Sequence, residues 1–260
     1  MTLDNKGHNA AQRGFDPKHI MQYGFYSYEF LDFIVEPLIT EMGGLVESQV
    51  TLATQAIVNH DPDTATRAVE LDRAVDDHER DAEQMVIRML ALRQPMADDL
   101  RQIVAAMKIT AALERIGDYA KNMARRSIVL GQYSLPFSLT GVANMSRLVQ
   151  ENLKLVIDAI GENDAHKAMQ VWQADQAIDE IYNSIFRELI TYMMEDARNI
   201  TPCTHLLFIA KNLERIGDHA TNIAEHVHYA VTGEPMTEER PKGDGSAYTV
   251  VRLPDDVELR

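Results

Sequence analysis

A single cysteine, Cys203, stands in the 260 residues. That excludes an internal disulfide and thiolate zinc clusters, and it fits a reducing compartment. No stretch approaches ~18 consecutive apolar residues, so no membrane-spanning helix is expected. The opening stretch MTLDNKGHNAAQRGFD has no apolar segment. No signal peptide is therefore expected, and the expected location is the cytoplasm. Basic residues are short as well: 25 Lys and Arg face 40 Asp and Glu, for a formal net charge of −15. Such a surface repels phosphate backbones, which argues against a nucleic-acid partner. It attracts cations or basic protein patches instead. Aromatics make up only 7%, while Ala, Leu, Ile, Glu, Asp and Arg are common, a balance that leans helical.

What is present is a duplication. The hexapeptide LERIGD begins at Leu113 and again at Leu213, and the match extends to LERIGDYAKNMA and LERIGDHATNIA. Upstream, DRAVDD from Asp72 corresponds to DQAIDE from Asp175. The two offsets differ by only a few residues, which a small loop change absorbs, so one unit is written twice.

Each unit predicts three helices. In the first, Ile34, Leu38, Met42, Leu45, Leu52 and Ala56 recur at helical spacing. Asp61 and Pro62 suit the N-cap and first position of a second helix running to about Leu92. Pro95 separates it from a third helix, 98–130, closed by Gly131. Residues 132–139 connect the units, and helices follow at 142–160, 164–195 and 203–231. Long helices with short turns pack antiparallel. The expected fold is all-α, two tandem three-helix bundles of six long helices: residues 25–132 and 138–232. An N-terminal arm, 1–24, precedes them. A tail, 233–260, rich in Gly, Pro and charge, is expected to be mostly disordered.

Residues four apart share a helix face. Glu114, Asp118 and Asn122 therefore form an oxygen stripe, and Glu214, Asp218 and Asn222 its twin. Asp72 with Asp76, and Asp175 with Asp179, do the same on the preceding helix of each unit. If those helices are antiparallel neighbours, four carboxylates converge in each bundle. Two carboxylates ~6 Å apart repel by roughly 3 kcal/mol at an effective dielectric of 20. The basic residues nearby do not recur: Arg80 follows Asp76 but Asn183 follows Asp179, and Lys121 stands where the second copy has Thr221. A bound multivalent cation therefore accounts for the recurring acids better than salt bridges. Clustered oxygen ligands suit Mg²⁺, Mn²⁺, Ca²⁺ or iron, and zinc enters the candidate set as well. Gly117 and Gly217 each cost about 1 kcal/mol inside a helix, which fits a close helix approach or a site. A lone acid pair is ordinarily a solvated face, but two pairs per unit with a recurring glycine favour metal.

These two segments resemble the paired E-x-x-x-D signatures of the PhoU family of phosphate-signalling regulators. Supporting matches are EMGGLVESQ from Glu41, RQPMADDLR from Arg93 and HLLFIAKNLERIGDHATNIAE from His205. The resemblance covers about residues 25–232. It implies a cytoplasmic, non-enzymatic negative regulator that lies at the inner face of the membrane through its protein partners. Those partners are the ATPase subunit of a phosphate ABC transporter and a membrane sensor histidine kinase, with a homodimer possible. It also implies multinuclear metal clusters held by Asp72, Asp76, Glu114 and Asp118, and by Asp175, Asp179, Glu214 and Asp218. Asn122 and Asn222 are weaker candidates. Two features depart from the family pattern: an aromatic run, with Tyr23, Phe25, Tyr26, Tyr28, Phe30 and Phe33, and a longer tail. The aromatic run is expected to be a packing stripe rather than a partner surface.

Two other classes were weighed. A ferritin-like di-metal oxidase or storage protein expects Glu-x-x-His pairs from two helices. Glu225 and His228 make one, but Arg125 and Ile128 stand at the matching positions of the first unit. An acidic scaffold without metal is the other alternative. His60 and His219 read as structural.

Overall fold

The computed structural model describes residues 36–93, 95, 97–135, 138–237 and 240. The N-terminal arm, the aromatic run and residues 241–260 lie outside the described residues. Six long helices carry the chain: α1 (Glu36–Asn59), α2 (Pro62–Arg93), α3 (Asp98–Leu130), α4 (Thr140–Glu162), α5 (Ala165–Glu195) and α6 (Ile200–Thr232). A short 3₁₀ turn, Ala197–Asn199, precedes α6. No strand occurs among the described residues, so the fold is all-α.

Local chemistry sets the breaks. His60 takes φ 54° between α1 and α2, and the Asp61 carboxylate then accepts from the backbone N–H groups of Asp63 and Thr64. Pro62 follows as first helical residue, where its missing N–H costs nothing. Between α4 and α5, Asn163 adopts the left-handed conformation that ends a helix, and Asp164 accepts from the N–H groups of His166 and Lys167. Gly131 does follow α3, but at φ −60°, so its glycine freedom is not what closes that helix. The last helix starts at Ile200 rather than at the expected 203, because Pro202 is tolerated in a first turn.

Within each repeat the three helices pack on one another, and the repeats join through α3 against α6 and α1 against α4. Apolar residues at three-to-four spacing face inward. Met42, Ile103, Leu113, Ile116 and Met123 of the first repeat are fully buried, as are Met145, Leu153, Ile178, Leu206 and Ile209 of the second. They form one core running through both repeats. Helices α3 and α6 run antiparallel: Arg101 Nε donates to the Ala230 carbonyl near one end, and the Arg126 guanidinium lies 4.0 Å over the Phe208 ring near the other. Midway, the equivalent residues Tyr119 and His219 face each other, ring centroids 5.6 Å apart. The internal two-fold therefore passes between the two copies of LERIGD, with α2 and α5 on the outside.

Candidate functional site

Each outer helix lays its acidic stripe against the acidic stripe of the last helix of its repeat. In the first repeat, Lys121 Nζ on α3 donates to Asp72 Oδ2 across the groove at 2.7 Å and to Asp118 Oδ1 at 2.5 Å. Burial and the charge of Asp72 push the Asp76 carboxyl above its ordinary pKa, while Lys121 pulls it back. Glu114 is pushed up to about 7, first by burial and then by the neighbouring Asp118, to which it is also hydrogen-bonded. Arg115 lies 3.5 Å from Glu114 and 3.6 Å from Asp118. Asn122 is exposed. Arg80, four residues after Asp76, has its guanidinium on Asp77 and its Nε donates to the Asp76 backbone carbonyl.

The second repeat builds the same cluster deeper. Asp175, Asp179 and Glu214 are almost fully buried. Thr221, at the position of Lys121, donates its hydroxyl to Asp175 Oδ1 at 3.1 Å. The missing charge arrives from the tail: Arg240 donates from Nε to Asp175 Oδ2 at 3.0 Å, from Nη2 to Asp218 Oδ1 at 2.6 Å and from Nη1 to Asn222 Oδ1 at 3.4 Å. Burial raises the Asp175 pKa, opposed by Arg240. Burial also raises that of Glu214, opposed by Lys211, whose Nζ donates to Glu214 Oε1 at 2.7 Å. The charge of Asp179 acts on both.

The structure thus brings Asp72, Asp76, Glu114 and Asp118 together, and likewise Asp175, Asp179, Glu214 and Asp218. The bridging bases do not stand at equivalent positions in the two copies. The cation that bridges the two helices comes from non-equivalent places: Lys121 of α3 in one repeat, Arg240 of the tail in the other. Of the tail, residues 233–237 and 240 are described, and Arg240 lies in the cluster; the rest lies outside the described residues. Lys121 was visible in the sequence as a neighbour of Asp118, though its reach to Asp72 was not. Arg240 was missed, since no pattern around it distinguishes it from other charged tail residues.

The recurring glycines sit behind the acids at a close helix approach. A Cβ on Gly217 would lie 3.0 Å from Ile178 Cδ1, and one on Gly117 would lie 3.0 Å from Gln49 Oε1 and 3.3 Å from Val75 Cγ1. The Glu225 and His228 pair does not converge: Glu225 Oε1 accepts from the Trp172 indole, and His228 Nδ1 contacts the Glu234 carbonyl.

The donor set fits a hard cation. All of its ligating atoms are carboxylate oxygens, and Glu214 Oε2 is buried without a hydrogen-bond partner among the described residues. Such an oxygen is costly to leave unmet, and a bound ion would meet it. No group of three or more His, Cys, Asp or Glu among the described residues is arranged to hold a metal ion as the side chains stand.

The PhoU domain family matches residues 39–127 and again 142–227. The phosphate-specific transport system accessory protein PhoU homolog of Caulobacter vibrioides is 51% identical over 207 residues, covering 79% of this chain and 90% of that one. The crystal structure of PhoU from Pseudomonas aeruginosa superposes with a TM-score of 0.75 at 41% identity, covering 77% of this chain and 96% of the other. That of the phosphate transport system regulatory protein PhoU from Streptococcus pneumoniae gives 0.74 at 27% identity, covering 81% and 100%.

Proposed function

This chain belongs to the PhoU family, and from that premise we propose that it regulates phosphate uptake and holds the phosphate-starvation response off when phosphate is plentiful. Its relatives are named as accessory proteins of phosphate-specific transport systems, a role rather than a reaction, and this chain acts without catalysis of its own. It couples a phosphate ABC transporter, through the ATPase subunit, to a membrane sensor histidine kinase. It works in the cytoplasm, held at the inner face of the membrane by those partners. No helix among the described residues is long and apolar enough to cross a membrane. Self-association as a dimer belongs to the same reading.

The observation that carries the reading is the doubled acidic cluster at equivalent places in two matched domains. Asp72, Asp76, Glu114 and Asp118 would hold one divalent or trivalent cation site, and Asp175, Asp179, Glu214 and Asp218 the other. Bound there, a cation would neutralise the clustered charge and tie the outer helix to the last helix of each repeat. Deleting the gene in its native host and measuring alkaline phosphatase in phosphate-rich medium tests the regulatory role. Constitutive expression is expected, and unchanged repression contradicts it.

The oxidase alternative loses its main support, since Glu225 and His228 point to different partners.

A further inference from the structure

The second cluster grips Arg240 in a way an incidental surface ion pair does not. The guanidinium meets three acceptors on two helices, with Asp175 3% and Arg240 15% exposed. Exposed pairs are worth little, whereas a fork of donors held against buried carboxylates is both oriented and desolvated. The approach is built as well. Gly233 turns the chain at φ 78°, and the Glu234 carbonyl contacts His228 Nδ1 at 3.2 Å. Pro235, Met236 and Thr237 then line one small hollow with Met169, Trp172 and His228. Glu234 meets His228 and Arg240 meets Asn222 and Asp218, about two and three turns of helix earlier on α6.

We propose that Asp175, Asp218 and Asn222 form a guanidinium socket that the tail fills with Arg240, so that a divalent cation enters the second cluster only when the tail leaves. The cation arm rests on the reading of the clusters as metal sites; the socket does not. In the first cluster the resident cation, Lys121, is carried by α3 itself, three residues from Asp118, and can only swing aside. In the second it arrives on a segment that can depart. The duplicated clusters are therefore not equivalent. Glu214 Oε2, buried without a hydrogen-bond partner among the described residues, is a ligand that Arg240 does not use and an incoming ion would. If the tail is seated about nine-tenths of the time, the apparent cation affinity there falls about tenfold below the intrinsic one.

Trp172, the chain's only tryptophan, lies under the tail and reports its position. The test uses the full chain stripped with chelator, Mn²⁺ as probe with the free ion followed by electron paramagnetic resonance, and Trp172 emission as the second readout. Wild type is compared with Arg240→Gln and Asp218→Asn. Both substitutions are expected to shift Trp172 emission in the same direction without added metal. Arg240→Gln should tighten one Mn²⁺ site about tenfold and leave the other unchanged, and Mn²⁺ should move wild-type emission toward that of Arg240→Gln. Emission unmoved by either substitution overturns the socket. Equal Mn²⁺ affinity in wild type and Arg240→Gln overturns the competition while leaving the metal reading standing. Shifted emission with no Mn²⁺ bound by any of the proteins supports the socket and defeats the metal reading.

Discussion

At the scale of single residues, the two glycines of the repeated hexapeptide show how packing overrides propensity. Alanine at position 217 would gain about 1 kcal/mol of helix propensity. Its Cβ would also press on the end of buried Ile178, and overpacking costs typically about 1–3 kcal/mol. Gly217→Ala is therefore expected to lose about 1 kcal/mol net, read as a lower midpoint in denaturant melting; a gain in stability would show that the approach of α5 to α6 is looser than described. A histidine sets a pH response. Burial, and then the charge of Lys108, hold His226 below the ordinary imidazole pKa. The fold thus favours the neutral ring, and the unfolded chain takes up more protons as pH falls below about 6.5. Stability is full above that value and declines below it. His226→Gln should flatten the decline in melting temperature between about pH 7 and about pH 5.5.

At the scale of elements, the helices follow from their own ends. Asp61 accepts from two backbone N–H groups and from the Thr64 hydroxyl at 2.6 Å, so Asp61→Ala should cost about 1 kcal/mol by melting. Such caps are local, which is why the helix starts near Pro62 and Ala165 were legible in the sequence. The internal repeat was legible for the same reason: shared spacing of apolar residues and acids is a property of the string. The counter-charges were not. Lys121 reaches Asp72 across a groove between helices, and Arg240 reaches Asp175 from a tail whose composition reads as loose. Nothing in local spacing marks either contact, because both depend on which helices become neighbours. The duplication shows that the bases near the acids differ between copies, but not that the second repeat draws its counter-charge from the tail.

At the scale of the whole molecule, the internal two-fold places the copies of LERIGD back to back at Tyr119 and His219. It leaves the acidic grooves on opposite flanks, between α2 and α3 and between α5 and α6. The flanks differ in burial and in the tether of the resident cation, which gives a doubled fold two unequal sites. The central claim is that these clusters carry the regulatory role. Its most direct test is alkaline phosphatase activity in phosphate-rich medium, in the deletion host complemented with Asp72→Asn, Asp118→Asn, Asp175→Asn and Asp218→Asn combined, with helical content checked by circular dichroism. The folded variant is predicted to leave the enzyme constitutively expressed, as in the deletion. Repression restored to the wild-type level by that variant would contradict the claim.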